Sequence, residues 1–301
     1  MNQTNKEEQQ YLNLIRQILD PTIPLEESRN GKTKSIFGSM MRFSLANNKI
    51  PILTTKQTAW RTCLKELLWF IRGQTNNKIL QKEGVHIWNA NSSTEFLETR
   101  GLSHYNEGEL GPIYGFQWRN FNGNWFDTQF QNESETPPLK TGIDQLQQII
   151  DQLKNKETRN SRRLIMSAWN PCQLDKMALP PCHIMCQFNV TDTNKLSCLM
   201  YQRSGDVGLG VPFNIASYSF LTHILAKHCD LIAHEFVYVL GNAHIYESHI
   251  EALTKQIKRE PREFPTIEIL QTHDNINDYE WTDIKIQNYN FHGKIEMKMI
   301  A

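Results

Sequence analysis

The chain has 301 residues, 39% hydrophobic and 21% charged, and its 32 basic side chains balance 32 acidic ones. That is an ordinary globular composition, and zero net charge argues against a large nucleic-acid surface while leaving room for a local basic pocket. The polar start MNQTNKEEQQ has no apolar centre of the signal-peptide kind and no apolar run is long enough to span a membrane, so a cytoplasmic protein is expected.

Residues Glu7–Leu19 predict a first helix, with Tyr11, Leu14, Ile15 and Ile18 on one face, ended by Pro21 and Pro24. ESRNGKTKSIFG then reads as a basic, solvated loop, and Met41–Leu45 alternates as a half-buried strand. In RTCLKELLWFIRG, Leu64, Leu67, Leu68 and Ile71 keep helical spacing, Gly73 is a stop, and Glu66 stands beside the apolar face as a rim carboxylate. Residues Asn120–Lys140 are polar and read as a surface insertion or lid loop. Ile143–Leu153 is helical by spacing, and NSRRLIMSAWNP runs from loop into strand.

The stretch from Leu179 to Tyr218 carries the most chemistry. LPPCHIMCQFNV and KLSCLMYQRSGDVGLGVPFNIASY contain two apparent strands, a cysteine behind a proline pair, an arginine at a strand end, a glycine-rich turn and an asparagine opening a helix. A cysteine beside a rigid turn can be presented as a nucleophile, and an arginine can lower its pKa or grip an anion. An asparagine amide can read a nucleobase edge, or merely cap a helix after Pro212. Ile215–Cys229 then predicts a helix, HEFVYVLG a strand, AHIYESHIEALTKQIKRE one long helix, and Thr266–Leu270 and Asp283–Tyr289 two strands. The tail KIEMKMIA reads as a frayed end. Six cysteines without a CxxC pair suggest reduced thiols, all but Cys182 serving as small buried hydrophobes. Ten histidines without an HExxH or Cys/His set predict no metal site.

LPPCH around Cys182, YQRSGDVGLGVPFN from Tyr201 to Asn214, and NIASY from Asn214 to Tyr218 closely resemble the thymidylate synthase family. The resemblance runs from about Arg29 to Ala301, weakest at Asn120–Lys140. It implies a single α/β (α+β) domain over residues 1–301, with a mixed sheet flanked by helices and packed on the sheet of a second subunit. It also implies that Cys182 attacks C6 of the uracil ring of dUMP. 5,10-methylenetetrahydrofolate would supply a one-carbon unit and a hydride, giving dTMP and dihydrofolate.

By the same resemblance Arg29, Arg203 and Ser204 grip the phosphate, joined by Arg162 and Arg163 from the partner subunit, and Arg203 helps hold Cys182 as thiolate. Asn214 reads uracil, where cytosine-directed relatives carry aspartate. His244 and Tyr246 match ribose contacts, Tyr114 an active-site tyrosine, and Glu66 a buried glutamate that works through water. Lys56, Trp88, Asn91, Asp206 and Gly210 match the folate side, and the tail through Ala301 folds over the substrate. Without the family word, His244 would be read as a satisfied histidine and Trp88 as core.

The chain also departs from the family pattern. Gln57 replaces a basic residue, which argues against a tight grip on polyglutamate tails. Asn89 and Asn242 replace aspartates, Gly205 replaces a frequent cysteine at what reads as a turn, and Phe291 and Gly293 stand in a tail that lacks the usual prolines, predicting looser closure. At this length a fused dihydrofolate reductase is not expected.

Three other readings compete with this one. A thiol hydrolase fails because Cys182 and His183, adjacent on a strand, point to opposite faces. A pyrimidine hydroxymethylase of the same fold differs in leaving tetrahydrofolate. A nucleotide-binding protein without turnover would have no need of Cys182, Glu66, Tyr114 and Asn214 together.

Overall fold

A computed structural model describes residues 5–125 and 141–300. The insertion expected at Asn120–Lys140 falls mostly outside the described residues, and Ala301 wholly so. Helix α1 (Lys6–Ile18) starts where the Asn5 side chain accepts from the Glu7 and Glu8 N–H groups, and it buries Tyr11, Leu14, Ile15 and Ile18 as the spacing predicts. Helix α2 (Trp60–Ile71) follows its apolar stripe and stops before Gly73, whose φ of 73° suits glycine. Three short helices, α3 (Asn77–Lys82), α4 (Thr94–Thr99) and α5 (Tyr114–Asn120), have no counterpart in the sequence reading because they are too brief to establish a period. Helix α6 (Gln145–Lys154) buries Leu146, Ile149, Ile150 and Leu153.

The strands are β1 (Glu26–Ser28), β2 (Gly31–Ser44), β3 (Ile165–Ser167), β4 (His183–Val190), β5 (Lys195–Asp206) and β6 (Ile232–Tyr246), forming one sheet in the order β1-β2-β6-β5-β4-β3. Neighbours are antiparallel except β5 and β6, which run parallel, so the sheet is mixed. A second ribbon pairs β7 (Thr266–Ile269) with β8 (Ile284–Gln287), close to the expected strands.

Register divides the sheet into two faces. Met41, Tyr238, Met200, Cys186 and Met166 align across five strands and are all buried. Helix α7 (Gly210–His228) packs on this face, with Tyr218 stacked on Phe236 at 6.0 Å between ring centroids. On the other face Met40, Val239, Tyr201 and Met185 form one row and Arg42, Val237, Leu199, Gln187 and Ile165 the next. Met40 and Ile165 in these rows are exposed, and α1 and α7 leave the face uncovered.

Four expectations change. Glu27–Gly38 is a hairpin and strand rather than a loop: its polar residues hide the strand, and pairing from Thr33↔Tyr246 onward supplies it. The long helix expected over 243–260 is a strand through Tyr246 and then only α8 (Ile250–Gln256), because Ala243 and Ile245 sit in the core at strand spacing. Helix α7 opens at Gly210, so Asn214 lies in its second turn, and Pro212 is tolerated in the first. Cys172 is exposed rather than buried. Among the described residues no helix is long and apolar enough to cross a membrane.

Candidate active site

The parallel strands β5 and β6 deliver their C-terminal ends to one cavity of about 630 Å³. Arg29 enters it from the β1–β2 hairpin, Cys182 from the residue before β4, and Arg203, Ser204 and Asp206 from the end of β5. His244 and Tyr246 come from β6, Gly210 and Asn214 from α7, and Tyr114 and Asn91 from the helical layer. Ile300, in the tail, also lines it, so the tail lies against the cavity rather than away from it.

Cys182 is held by its backbone. Its N–H donates to the Tyr114 hydroxyl at 2.7 Å, and its carbonyl accepts from Arg203 N at 2.9 Å. The Arg203 guanidinium donates from Nε to Pro181 O at 2.9 Å and from Nη2 to Pro180 O at 3.0 Å, so the proline pair and the arginine fix each other. The rest of its N–H fork is left for an anion. Burial pushes the Cys182 thiol up, while the charges of Arg203 and Arg29 pull it down. Burial wins, so in this state the group is a thiol, and the arginine alone does not hold it as thiolate.

Glu66 is fully enclosed rather than on a rim. Burial lifts its carboxyl to about 7, against a hydrogen bond of 2.7 Å from Trp88 Nε1 that favours the charged form. That places it where proton exchange at neutral pH is easy. Trp88 is buried behind the cavity, edge-on to Tyr114 at 6.2 Å. His183 is buried against Tyr114 and Tyr218, and burial holds it near 4, hence neutral.

Asn214 does not cap a helix. Its Nδ2 donates to Gln202 Oε1 at 2.8 Å, and Tyr238 Oη donates to the same oxygen at 2.6 Å. Gln202 Nε2 donates to the Ser204 carbonyl at 2.8 Å. A backbone carbonyl can only accept, so it fixes which way Gln202 points, and Gln202 in turn fixes Asn214. Asn214 lines the cavity, and its side chain lies beside His183 as well. Sequence reading missed Gln202 and Tyr238; the available signal was a glutamine at buried-face parity with Met200 and Cys198.

On the folate side, Lys56 is buried, donates to Gly208 O, and is pulled to about 8 by burial, opposed by Asp206; it is not among the cavity-lining residues. Asp206 Oδ1 accepts from Gly208 N at 2.8 Å. Burial pulls His244 down, and its Nδ1 lies 3.0 Å from Asn242 Oδ1. Asn89 Oδ1 meets Asn77 and Gln81, a structural contact. Gly205 lies in β5 rather than in a turn, and a Cβ there would come within 2.9 Å of Leu240 Cδ1, the movable end of a side chain, so a small residue would need Leu240 to shift. Arg259 and Arg262 bind the Gly293 and Phe291 carbonyls, fixing the start of the tail. Arg162 and Arg163 do not line the cavity of their own chain, and no group of acidic, histidine or cysteine side chains among the described residues could hold a metal.

Fold and site define a single-domain α+β protein that presents a half-buried thiol in a cavity bearing arginines and an oriented amide. A family model described as thymidylate synthase matches residues 9–301. The chain is 47% identical over 292 residues to human thymidylate synthase, covering 97% of this chain and 90% of that protein. It is 50% identical over 293 residues to a bifunctional dihydrofolate reductase-thymidylate synthase of Paramecium tetraurelia, covering 97% of this chain and 61% of that protein. A bifunctional protein of the same name from Leishmania major is 47% identical over 298 residues, with 98% and 55% covered. The chain belongs to the thymidylate synthase family, and it spans between about half and three fifths of the length of these bifunctional relatives.

Proposed function

We propose that the protein converts dUMP to dTMP with 5,10-methylenetetrahydrofolate as co-substrate, releasing dihydrofolate. The observation that carries this is the convergence of Cys182, Arg203 and the oriented amide of Asn214 on one cavity. In this reading Arg29, Arg203 and Ser204 take the phosphate, and His244 and Tyr246 the ribose. Asn214 donates to uracil O4 and accepts from N3–H. Once the Cys182 thiol has given up its proton, in this reading to water, Sγ adds to C6 as the C5–C6 π pair shifts toward O4, and the amide N–H stabilises the charge gained there. Glu66, poised near 7, exchanges protons with the pyrimidine through water.

Methylenetetrahydrofolate, when bound, supplies the one-carbon unit and the hydride, which no side chain can provide. The residues suit it: Asp206 is a carboxylate acceptor on the cavity wall, fitting the N–H-rich edge of a pterin, beside Gly210 and Asn91. A second subunit belongs to the same reading. The uncovered sheet face bearing Met40 and Ile165 fits a second copy, and Arg162 and Arg163, at the edge near β3, are free to reach the partner's phosphate. The free thiols are in keeping with a reducing cytoplasmic compartment.

An absorbance assay for dihydrofolate, with purified protein, dUMP and methylenetetrahydrofolate, tests the reaction. Thymidylate synthesis produces dihydrofolate; tetrahydrofolate with a hydroxymethylated nucleotide would assign the other chemistry, and no product would leave a binding protein. For the shared site, Arg162→Glu and Cys182→Ala chains, each nearly inactive alone, should regain activity when refolded together into mixed dimers. Dead mixtures containing verified mixed dimers would rule the sharing out.

A further inference from the structure

We propose that His249 is a positioning residue that seats the C-terminal tail on the cavity by bridging the Lys298 carbonyl to the Asp206 carboxylate. This deepens the reading above by adding the closure of the tail over substrate that the family resemblance implies, and rests on it.

His249 is wholly buried although it lies in a short turn after β6, just before α8. Its Nε2 is 2.7 Å from Lys298 O, a contact across 49 residues of sequence. Its Nδ1 faces Asp206 Oδ1 at 3.5 Å and has no formed hydrogen bond. A formed N–H···O bond would be about 2.7–3.2 Å, so this side of the bridge is open by a few tenths of an ångström. Gly208 is packed into the same junction: a Cβ there would lie 2.8 Å from His249 Nδ1, 3.1 Å from Asp206 Oδ1 and 3.1 Å from Met297 Sδ. Tail, turn and cavity carboxylate therefore meet at one imidazole, and Ile300, two residues beyond Lys298, lines the cavity.

One nitrogen holds the tail and the other faces a wall residue of the cavity at a distance that a small approach would close. Carbonyl and carboxylate both accept, so only the imidazolium, a donor at both nitrogens, bridges them fully. The neutral ring that donates to Lys298 O turns a lone pair toward Asp206 and loosens that side.

The charged and titratable groups around the ring are Asp206 from β5, Lys56 from the loop before α2, and His244 and Tyr246 from β6. Burial lowers the His249 pKa, but Asp206 and the Lys298 carbonyl together outweigh it and hold the group above its ordinary 6.5. A raised folded-state pKa makes the seating complete below about 6.5, and it is lost as pH rises through the raised value.

The test uses the full-length, ligand-free protein, so that it does not depend on turnover. Carboxypeptidase trimming of the tail is timed and normalised to a free peptide of the same sequence. Trimming of the parent should accelerate as pH rises from about 6 to about 8. His249→Asn cannot reach Lys298 and should be trimmed about fivefold or more faster, with a flat pH profile. His249→Gln keeps a donor toward Lys298; it should recover slow trimming yet lose the pH dependence. In turnover, His249→Asn should raise KM for methylenetetrahydrofolate while dUMP binding stays unchanged. A parent profile that stays flat over this range would overturn the proposal even if the variants failed to fold, and so would a folded His249→Asn protein trimmed at the parent's rate. Failure of the activity reading would show separately, as an absence of dihydrofolate from the parent protein.

Discussion

The two ends of the cavity are built differently. At the base end, Ser204 O, Gln202, Asn214 and Tyr238 form a relay in which every bond is between 2.6 and 2.8 Å. At the tail end, Lys56, Gly208, Asp206, His249 and Lys298 meet with one imidazole nitrogen still short of its partner. A closed relay anchored on a backbone carbonyl cannot reorient without breaking a buried hydrogen bond, so it suits discrimination. An open junction can tighten when something arrives, so it suits closure. Selectivity should therefore follow changes at the first end, and folate affinity and tail order changes at the second.

The largest effect is expected at Glu66, which belongs to neither end. Removing its proton exchange with Glu66→Gln should cut kcat by about 10²–10⁴-fold and touch neither base preference nor tail trimming. Burial raises its folded-state pKa to about 7 from 4.5, so the folded protein holds this proton more tightly than the unfolded chain. The parent should then lose some stability as pH rises from about 4.5 to about 7, and the Gln variant should lack that loss. Denaturation midpoints across that range check the sign, and parallel curves for the two proteins would contradict it.

Next comes Asn214→Asp. A carboxylate accepts from the cytosine amino group and repels uracil O4, a mismatch of about 1–3 kcal/mol that should shift the dUMP/dCMP efficiency ratio by roughly one to two decades. Competition kinetics give the ratio directly; an unchanged ratio would remove Asn214 as the base reader. Because the change is confined to the base end, the pH profile of tail trimming should not move.

The smallest effect is expected from Tyr238→Phe, which leaves Gln202 Oε1 with one donor instead of two. A buried hydrogen bond of about 1 kcal/mol should relax base preference about fivefold, with the KM for methylenetetrahydrofolate unaltered. A rise in that KM instead would mean that the two ends are not separate.

Residues that work by their own chemistry were legible without coordinates. Cys182 behind two prolines, Arg203 at a strand end and Asn214 after the glycine-rich turn carry their meaning in residue type and local order, and the structure brings all three to one cavity. Helices with long stripes, such as α1 and α6, were legible because one face repeats at a fixed period. The stretch Glu27–Gly38 and the extension of β6 from Asn242 to Tyr246 were not, because β2 and β6 pair across some 200 residues and strand identity there comes from pairing rather than pattern.

The burial of Glu66 and Lys56, the role of Gln202 and the junction at His249 are likewise tertiary. A titratable group takes its pKa from what surrounds it, and an amide its orientation from what it bonds. Sequence determined which side chains could act. Only the packing of β5 against β6, α1, α7 and the tail decided which of them are enclosed, which are aimed, and which still lack a partner.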